Sequence, residues 1–392
     1  LSQETFDVAV VGAGPAGLMA ARKAAQTGAE VLLLEKERSL GAKVCGEAVS
    51  GSTLADAEID PSPRFICNRV KGIMVYAPNE EKKVEIYSEE LGFSEGFLLE
   101  KKLFLQELAC QAVQQGAEIL VGATVLDVEK NQGLFRLKVK RLGETGEIKC
   151  KMLVGCDGVT SLVAKKFFSR EGYEVIPCVQ YKMVNCRLDD PHVLETYVGH
   201  EVAPLGYAWI FPKSESSANV GIGVRGAPAK PYLDKFIAAH PAKFEKARVV
   251  EIQAAPVPVG GQIGRVVHGE GVLLCGDAAG QVIPLTGGGI HTSIVAGKIA
   301  GEVAGRAAVQ GDVDLEEYPR RYAYWSRRIA NSLLSLKLIE KLGDSELNQL
   351  AEILTGEDIV NLASGFNIEK VGKKLQSHPE FAARLGEALL SG

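Results

Sequence analysis

One short segment constrains this chain more than any other: an apolar run that ends in Gly12-Ala13-Gly14-Pro15-Ala16-Gly17. Phe6 to Val11 is short, β-branched and stopped by glycine, which predicts a buried parallel strand. Pro15 to Thr27 predicts a helix, with proline in its first turn and Gly28 closing it. Glu30 to Glu35 is a second apolar strand, so the unit is βαβ. In such a unit Gly12 permits the tight turn, Gly14 lets the backbone approach a pyrophosphate, and Gly17 lets helix and strand pack closely. The helix N-terminus, with Ala13, Pro15 and Ala16 around it, favours negative charge through its free amides and its dipole. Glu35 stands 21 residues after Gly14, placed to accept from adenosine ribose hydroxyls and to disfavour a 2′-phosphate.

This motif alone does not choose between NAD and FAD. Gly155-Cys156-Asp157-Gly158 and Gly276-Asp277-Ala278-Ala279-Gly280 follow two further apolar strands. Each offers a carboxylate and a close-approach backbone at the mouth of a sheet, where α/β ligands bind. A cofactor as long as FAD needs several such anchors, and Asp277 is expected on the ribitol hydroxyls. Pro284-Leu285-Thr286-Gly287-Gly288-Gly289-Ile290 then opens an apolar helix. Three glycines at a helix start predict uncovered amides with room for a flat ring, favouring reduced flavin.

The fold class expected is α/β (α+β overall), a Rossmann-like FAD-binding domain with an inserted antiparallel-sheet substrate domain and a helical C-terminal region. The expected boundaries are 1–70, 101–170 and 262–315 for the cofactor domain, 71–100 and 171–261 for the substrate domain, and 316–392 for the helical region. With 392 residues, more than one packed unit is needed. A net charge of −5 and the lack of any nucleic-acid-reading motif argue against DNA or RNA. No apolar run reaches the roughly 18 residues of a membrane span, and no signal-peptide pattern precedes the first strand, so a cytoplasmic location is expected. The eight cysteines contain no C-x-x-C pair, which predicts free thiols and no metal site.

With these residues in place, the chain resembles the para-hydroxybenzoate hydroxylase-like flavoproteins. Tyr207-Ala208-Trp209-Ile210-Phe211-Pro212, followed after eight residues by Gly221-Ile222-Gly223, resembles the signature of geranylgeranyl reductases. Lys43-Val44-Cys45-Gly46-Glu47 is similar to that family's Cys-Gly segment beside the flavin. The resemblance covers residues 5 to 310, and one departure is Lys101, where the family usually has Arg. Lys36, Cys45, Gly46, Lys101 and Val125 join the expected FAD contacts.

Independently of the family, Tyr207, Trp209 and Phe211 alternate along one strand and share a face. That row reads either as the core of a sheet packed on the cofactor domain or, because Gly221 and Gly223 remove side chains from a neighbouring strand, as one wall of a slot for a long apolar molecule, bounded by Pro212; the resemblance favours the slot. The resemblance implies reduction of isolated C=C bonds in a geranylgeranyl chain, by hydride from reduced flavin and a proton from a site acid. The candidate acids are Cys45, Glu47, Tyr207 and His291. The external electron donor is open between NADPH and a reduced ferredoxin-like carrier protein. Competing readings are an aromatic-ring monooxygenase and a flavin electron carrier. Tyr322, Trp325, Ile329, Leu333 and Leu336 form a helical stripe beside Arg320, Arg321, Arg327 and Arg328. That pattern suits either peripheral membrane contact or packing on the body.

Overall fold

A computed structural model describes residues 5–382 except 93, 94 and 380. Thr5–Val11 is the expected strand and lies at the centre of a parallel sheet, with Val31–Glu35 on one side and Glu144–Gly155 on the other. Glu118–Val121 extends this sheet beyond Val31–Glu35, and Val272–Leu274 extends it beyond Glu144–Gly155. Val8 to Val11 and Val31 to Leu34, at the centre of the sheet, are buried on both faces and are apolar without alternation. A meander of Ala123–Asn131, Leu134–Arg141 and the start of Glu144–Gly155 folds off one side. Glu118–Val121 and Ala123–Asn131 are separate strands because Gly122 turns the chain at φ +64°.

Helix Pro15–Ala25 and helix Ile290–Gln310 cross the sheet together, backbone against backbone. Cβ atoms on Gly297 and Gly301 would lie 2.1 and 2.2 Å from the carbonyl oxygens of Ala16 and Ala20, and one on Gly305 would meet Ala24. Glycines four residues apart thus form a groove that receives the alanine ridge of the first helix. Glu58 pairs with Arg22 and Lys23 of one helix and Lys298 of the other, tying the two at their side.

The second sheet has seven strands in the order Arg248–Pro258, Val175–Val184, Ser217–Gly223, Tyr207–Ser214, Val193–Val198, Gly72–Tyr76, Lys83–Tyr87. All neighbours are antiparallel except Val193–Val198 with Gly72–Tyr76. One face packs on helix Ala229–Ala239 through Leu233 and Phe236, a helix that the strand-rich sequence pattern did not predict. Gly96–Leu99, expected with this sheet, pairs instead with Ala48–Ser50 and Ile66–Val70 in a small third sheet. The segment 71–100 is therefore divided between two sheets.

Helix Glu317–Ile339 is not a free amphipathic surface. Tyr322 and Ile329 of its apolar stripe are fully buried, Leu336 is nearly so, and Trp325 and Leu333 pack inward. Arg321 is tied to Glu302 and Glu317, Arg320 to Asp314, and Arg328 lies over Trp325 and donates to the Ser364 carbonyl. The stripe is buried because the helix spans both the cofactor-domain core and the second sheet, which corrects the membrane-surface reading of it. Among the described residues, no helix is long and apolar enough to cross a membrane.

Candidate active site

The mouth of the first sheet is assembled from four loops. Gly12, at φ +100°, presses against the neighbouring loop so closely that a Cβ would sit 2.3 Å from the Cys156 carbonyl oxygen. A Cβ on Gly17 would sit 1.8 Å from the Gly12 carbonyl oxygen. Gly14, the helix N-cap, faces open space. The two outer glycines therefore close the turn, while the middle one leaves an approach to the helix amides. Glu35 holds this loop: its Oε2 accepts from the Ala13 amide at 2.7 Å and its Oε1 from the Glu37 amide at 2.8 Å. Lys36 follows it, exposed. Val125 is half-buried against the main core, opposite Val139 in the meander.

Asp157 differs from expectation. Its Oδ1 accepts from the Ser161 hydroxyl and its Oδ2 from the amides of Leu162 and Val163, at 2.7 and 3.2 Å. Burial pushes its pKa up against these bonds. The carboxylate caps its own helix, so this segment offers the mouth the backbone of Cys156 to Gly158 rather than a free carboxylate. Asp277, by contrast, faces the mouth, where it forms an ion pair with Lys43. A Cβ on Gly289 would lie 3.6 Å from its Oδ1, which brings the aspartate and the glycine-rich loop together. The Tyr173 hydroxyl fixes the same turn by donating to the Asp277 carbonyl at 2.7 Å. Gln281 braces the turn from behind. Its Oε1 accepts from the Gly276 amide at 2.8 Å, and its Nε2 donates to the Tyr318 hydroxyl at 2.7 Å.

Between Ile283 and Ile290 the chain makes a tight loop. Ile283 donates to the Gly288 carbonyl at 3.0 Å, and Gly287 donates to the Ile283 carbonyl at 2.9 Å. Gly288 donates to the Thr286 hydroxyl at 3.1 Å, and Pro284 is buried beneath the loop. Two of the three expected free glycine amides are thus used within the loop itself. Among the described residues, the amides of Gly289, Ile290, His291 and Thr292 have no partner. They are the orphan donors of the long helix. The uncovered positive end begins two residues later than the glycine count implied, at Gly289 instead of Gly287.

Tyr207 meets this loop from the second sheet. Its hydroxyl donates to the Thr286 carbonyl at 2.5 Å, and burial pushes its pKa upward. Tyr207, Trp209 and Phe211 do share one face, with neighbouring ring centroids 5.8 and 6.4 Å apart. They cluster with Val44, Ile176, Val257, Leu285, Leu333 and Leu336. By the same alternation Pro212, opposite Ala218, belongs to the other face. The expected slot over the two glycines is filled from within. A Cβ on Gly221 would lie 2.3 Å from the Trp209 indole, and one on Gly223 would lie 3.2 Å from both Cys178 and Ile176. The glycines admit neighbouring side chains, and the Trp209 ring is seated there by donating to the Gln180 side-chain oxygen at 3.0 Å. The apolar surface is the outer side of the aromatic row.

Of the remaining candidates, Cys45 is partly exposed and accepts from the Glu47 amide at 3.3 Å. Glu47 follows Cys45 by two residues. It is a buried carboxylate that accepts from Lys213 Nζ at 2.6 Å, Asn219 Nδ2 at 2.9 Å and the Lys101 amide at 3.3 Å. Among the described residues, every hydrogen bond of its carboxylate is one it accepts. Lys101 turns its ammonium to the Lys43 carbonyl. The His291 ring is held by Asp56 at 2.6 Å and lies 4.7 Å from the Trp325 ring. No group of side chains with the makeup of a metal site occurs among the described residues.

Sequence reasoning overlooked Lys43, Tyr173, Gln281, Tyr318, Lys213 and Asn219 as site-building residues. Only the Gly297, Gly301, Gly305 spacing was readable beforehand, as small residues on one helical face.

A parallel sheet with this glycine turn, an aspartate at a second strand end and an open helix N-terminus defines an FAD-dependent oxidoreductase. The family model described as FAD dependent oxidoreductase matches residues 7–168, and that of the geranylgeranyl reductase catalytic domain matches residues 174–257. The chain belongs to the geranylgeranyl reductase family. It is 38% identical over 387 residues to digeranylgeranylglycerophospholipid reductase of Methanocaldococcus jannaschii, covering 95% of each chain. It is 39% identical over 371 residues to the protein of that name from Methanosarcina acetivorans, covering 90% of this chain and 89% of the other. Among solved structures, a geranylgeranyl bacteriochlorophyll reductase-like protein from Thermoplasma acidophilum superposes with a TM-score of 0.85 at 31% identity, covering 99% of this chain and 100% of that one.

Proposed function

We propose that this protein saturates C=C bonds of geranylgeranyl chains carried on a membrane glycerophospholipid or its precursor. Relatives named digeranylgeranylglycerophospholipid reductase match along most of the chain. The observation that carries the reading in the structure is the meeting of the Tyr207 hydroxyl with the glycine-rich loop, beside an apolar wall. A simple electron carrier has no need of that wall, and an aromatic monooxygenase does not require the Tyr207 to Gly223 pattern.

In this reading segments 1–70, 101–170 and 262–315 act as the cofactor domain. The amides of Gly14, Ala16 and Gly17 face the pyrophosphate, Asp277 takes the ribitol, and the free amides of Gly289 to Thr292 take the flavin's polar edge. Asp157, Gly158 and Gly276 contribute backbone. When bound and reduced, FAD supplies the hydride. An isolated C=C bond is unpolarised, so a proton must reach the other carbon, and the site must hold that proton out of water. Tyr207 is suited to hold it: burial keeps the phenol protonated, and the Thr286 carbonyl fixes its direction. Cys45 is the second candidate, its sulfur oriented by the Glu47 amide. Tyr207, Trp209, Phe211 and Leu336 exclude water from the same space. The external reductant in this proposal is NADPH or a reduced carrier protein, each docking transiently, and contact with the bilayer follows from where the substrate resides.

The test is anaerobic. The FAD-loaded protein is reduced with dithionite and given digeranylgeranylglyceryl phospholipid in detergent, and the lipid is analysed by mass spectrometry. Gains of two hydrogens per double bond support the proposal; an unchanged lipid with fully reduced flavin overturns it.

A further inference from the structure

The face-sharing end of the aromatic strand grips the segment that carries Cys45. Phe211 lies over Gly46 so closely that a Cβ there would be 2.6 Å from its ring. Asn219, directly across from Phe211, donates to the Gly46 carbonyl at 3.3 Å and to Glu47 Oε2 at 2.9 Å. Lys213 donates to the same Glu47 oxygen at 2.6 Å, and also to the Leu99 carbonyl. Asn219 is fully buried, Glu47 is 4% exposed and the Lys213 side chain 12%, so this is an enclosed ion pair rather than a surface one.

Two features show that the grip sets the shape of the Cys45 segment. Glu47 is held at φ +73°, in the left-handed region that a residue with a side chain rarely adopts. Its amide in that conformation points back to Cys45 Sγ at 3.3 Å. At the other end of the segment, Lys43 is fixed by Asp277 and its carbonyl by Lys101. The thiol therefore sits on a bridge with one foot on the cofactor loop and the other on the substrate sheet.

We propose that Lys213 and Asn219 are positioning residues, which through Glu47 fix the backbone that aims Cys45 toward the reacting carbon. They touch neither cofactor nor substrate themselves. The inference rests on the reading of Cys45 as part of the prenyl-reducing site, but its own readout is separable from that.

The experiment uses the FAD-loaded full chain and variants Lys213→Met, Lys213→Arg and the pair Glu47→Gln with Lys213→Met. Alkylation of Cys45 by iodoacetamide is followed by peptide mapping, with exposed Cys110 as the internal reference. Lys213→Met is expected to change the Cys45 to Cys110 rate ratio by about tenfold or more, with bound flavin retained. Its kcat should fall while KM stays near that of the parent, and Lys213→Arg should restore both. If Lys213→Met does not fold, the double variant removes the buried Glu47 charge together with its partner, leaves the half-buried Glu100 to Lys182, and reports the same ratio. An unchanged ratio in a folded, flavin-loaded variant overturns the proposal. Full activity of Cys45→Ala with an altered ratio in Lys213→Met would instead remove Cys45 from the chemistry and leave the positioning intact.

Discussion

Tyr207 and Gly287 come from separate sheets' territories and meet at the centre of the site: a Cβ on Gly287 would stop 4.0 Å from the Tyr207 hydroxyl oxygen. The phenol thus stands where the cofactor domain ends and the apolar wall begins. Tyr207→Phe keeps the ring and removes only the hydroxyl. Turnover of a prenyl lipid is expected to fall by on the order of 10²-fold, the usual share of a positioned acid. FAD absorbance and melting temperature should stay close to the parent. Undiminished single-turnover reduction would assign the proton to another group.

The helix crossing that carries the glycine-rich loop depends on the absence of side chains. A Cβ on Gly301 would lie 2.2 Å from the Ala20 carbonyl oxygen and 2.6 Å from its Cα, both backbone atoms that cannot move aside. Gly301→Val should destabilise the fold by about 1–3 kcal/mol or more and loosen FAD. Thermal melting with and without added FAD measures both effects, and an unchanged melt would mean that the helices tolerate separation.

Glu58 makes the same crossing sensitive to acid. Burial is the largest influence on it and works upward, but Lys23 and Lys298 together outweigh burial and hold the carboxyl at about 2, below its ordinary 4.5. A depressed folded value stabilises the fold above pH 4.5, and that contribution is lost as pH falls toward 2. Glu58→Gln should therefore lower the melting temperature at pH 7 and matter less and less toward pH 2. A melting difference that is constant with pH would show that the charge is not the cause.

Tyr318 lies behind Asp277 and donates to the Leu274 carbonyl at 3.0 Å while accepting from Gln281. Tyr318→Phe leaves two buried polar groups unpaired, at a cost of roughly 1–3 kcal/mol each. FAD affinity, read by quenching of flavin fluorescence, should weaken more than activity at saturating FAD does. Equal affinity in parent and variant would exclude a role for the C-terminal helix in shaping the cofactor site.

What was legible in the sequence depended on whether the physics is local. The strand, turn and helix around Gly12, and the strand end before Asp277, are dictated by short-range backbone demands, and they appear where expected. The alternation of Tyr207, Trp209 and Phe211 is likewise a property of one strand. The fates of Asp157, Glu47 and His291 were not legible, because each depends on a partner chosen in three dimensions: the Ser161 helix start, Lys213 and Asp56.

By itself, the sequence determined a glycine turn built for a dinucleotide, the acidic residues at the strand ends and an aromatic row with one outward face. Backbone geometry leaves those residue types few alternatives over so few positions. Only the tertiary structure decided that Trp209 fills the space over Gly221 while Cys178 and Ile176 fill that over Gly223, that the apolar stripe of the Tyr318 helix packs inward, and that Glu47 is a buried carboxylate paired with Lys213 and Asn219. Each of those depends on desolvation and on which donor stands opposite a buried polar atom, and neither is set until distant segments pack.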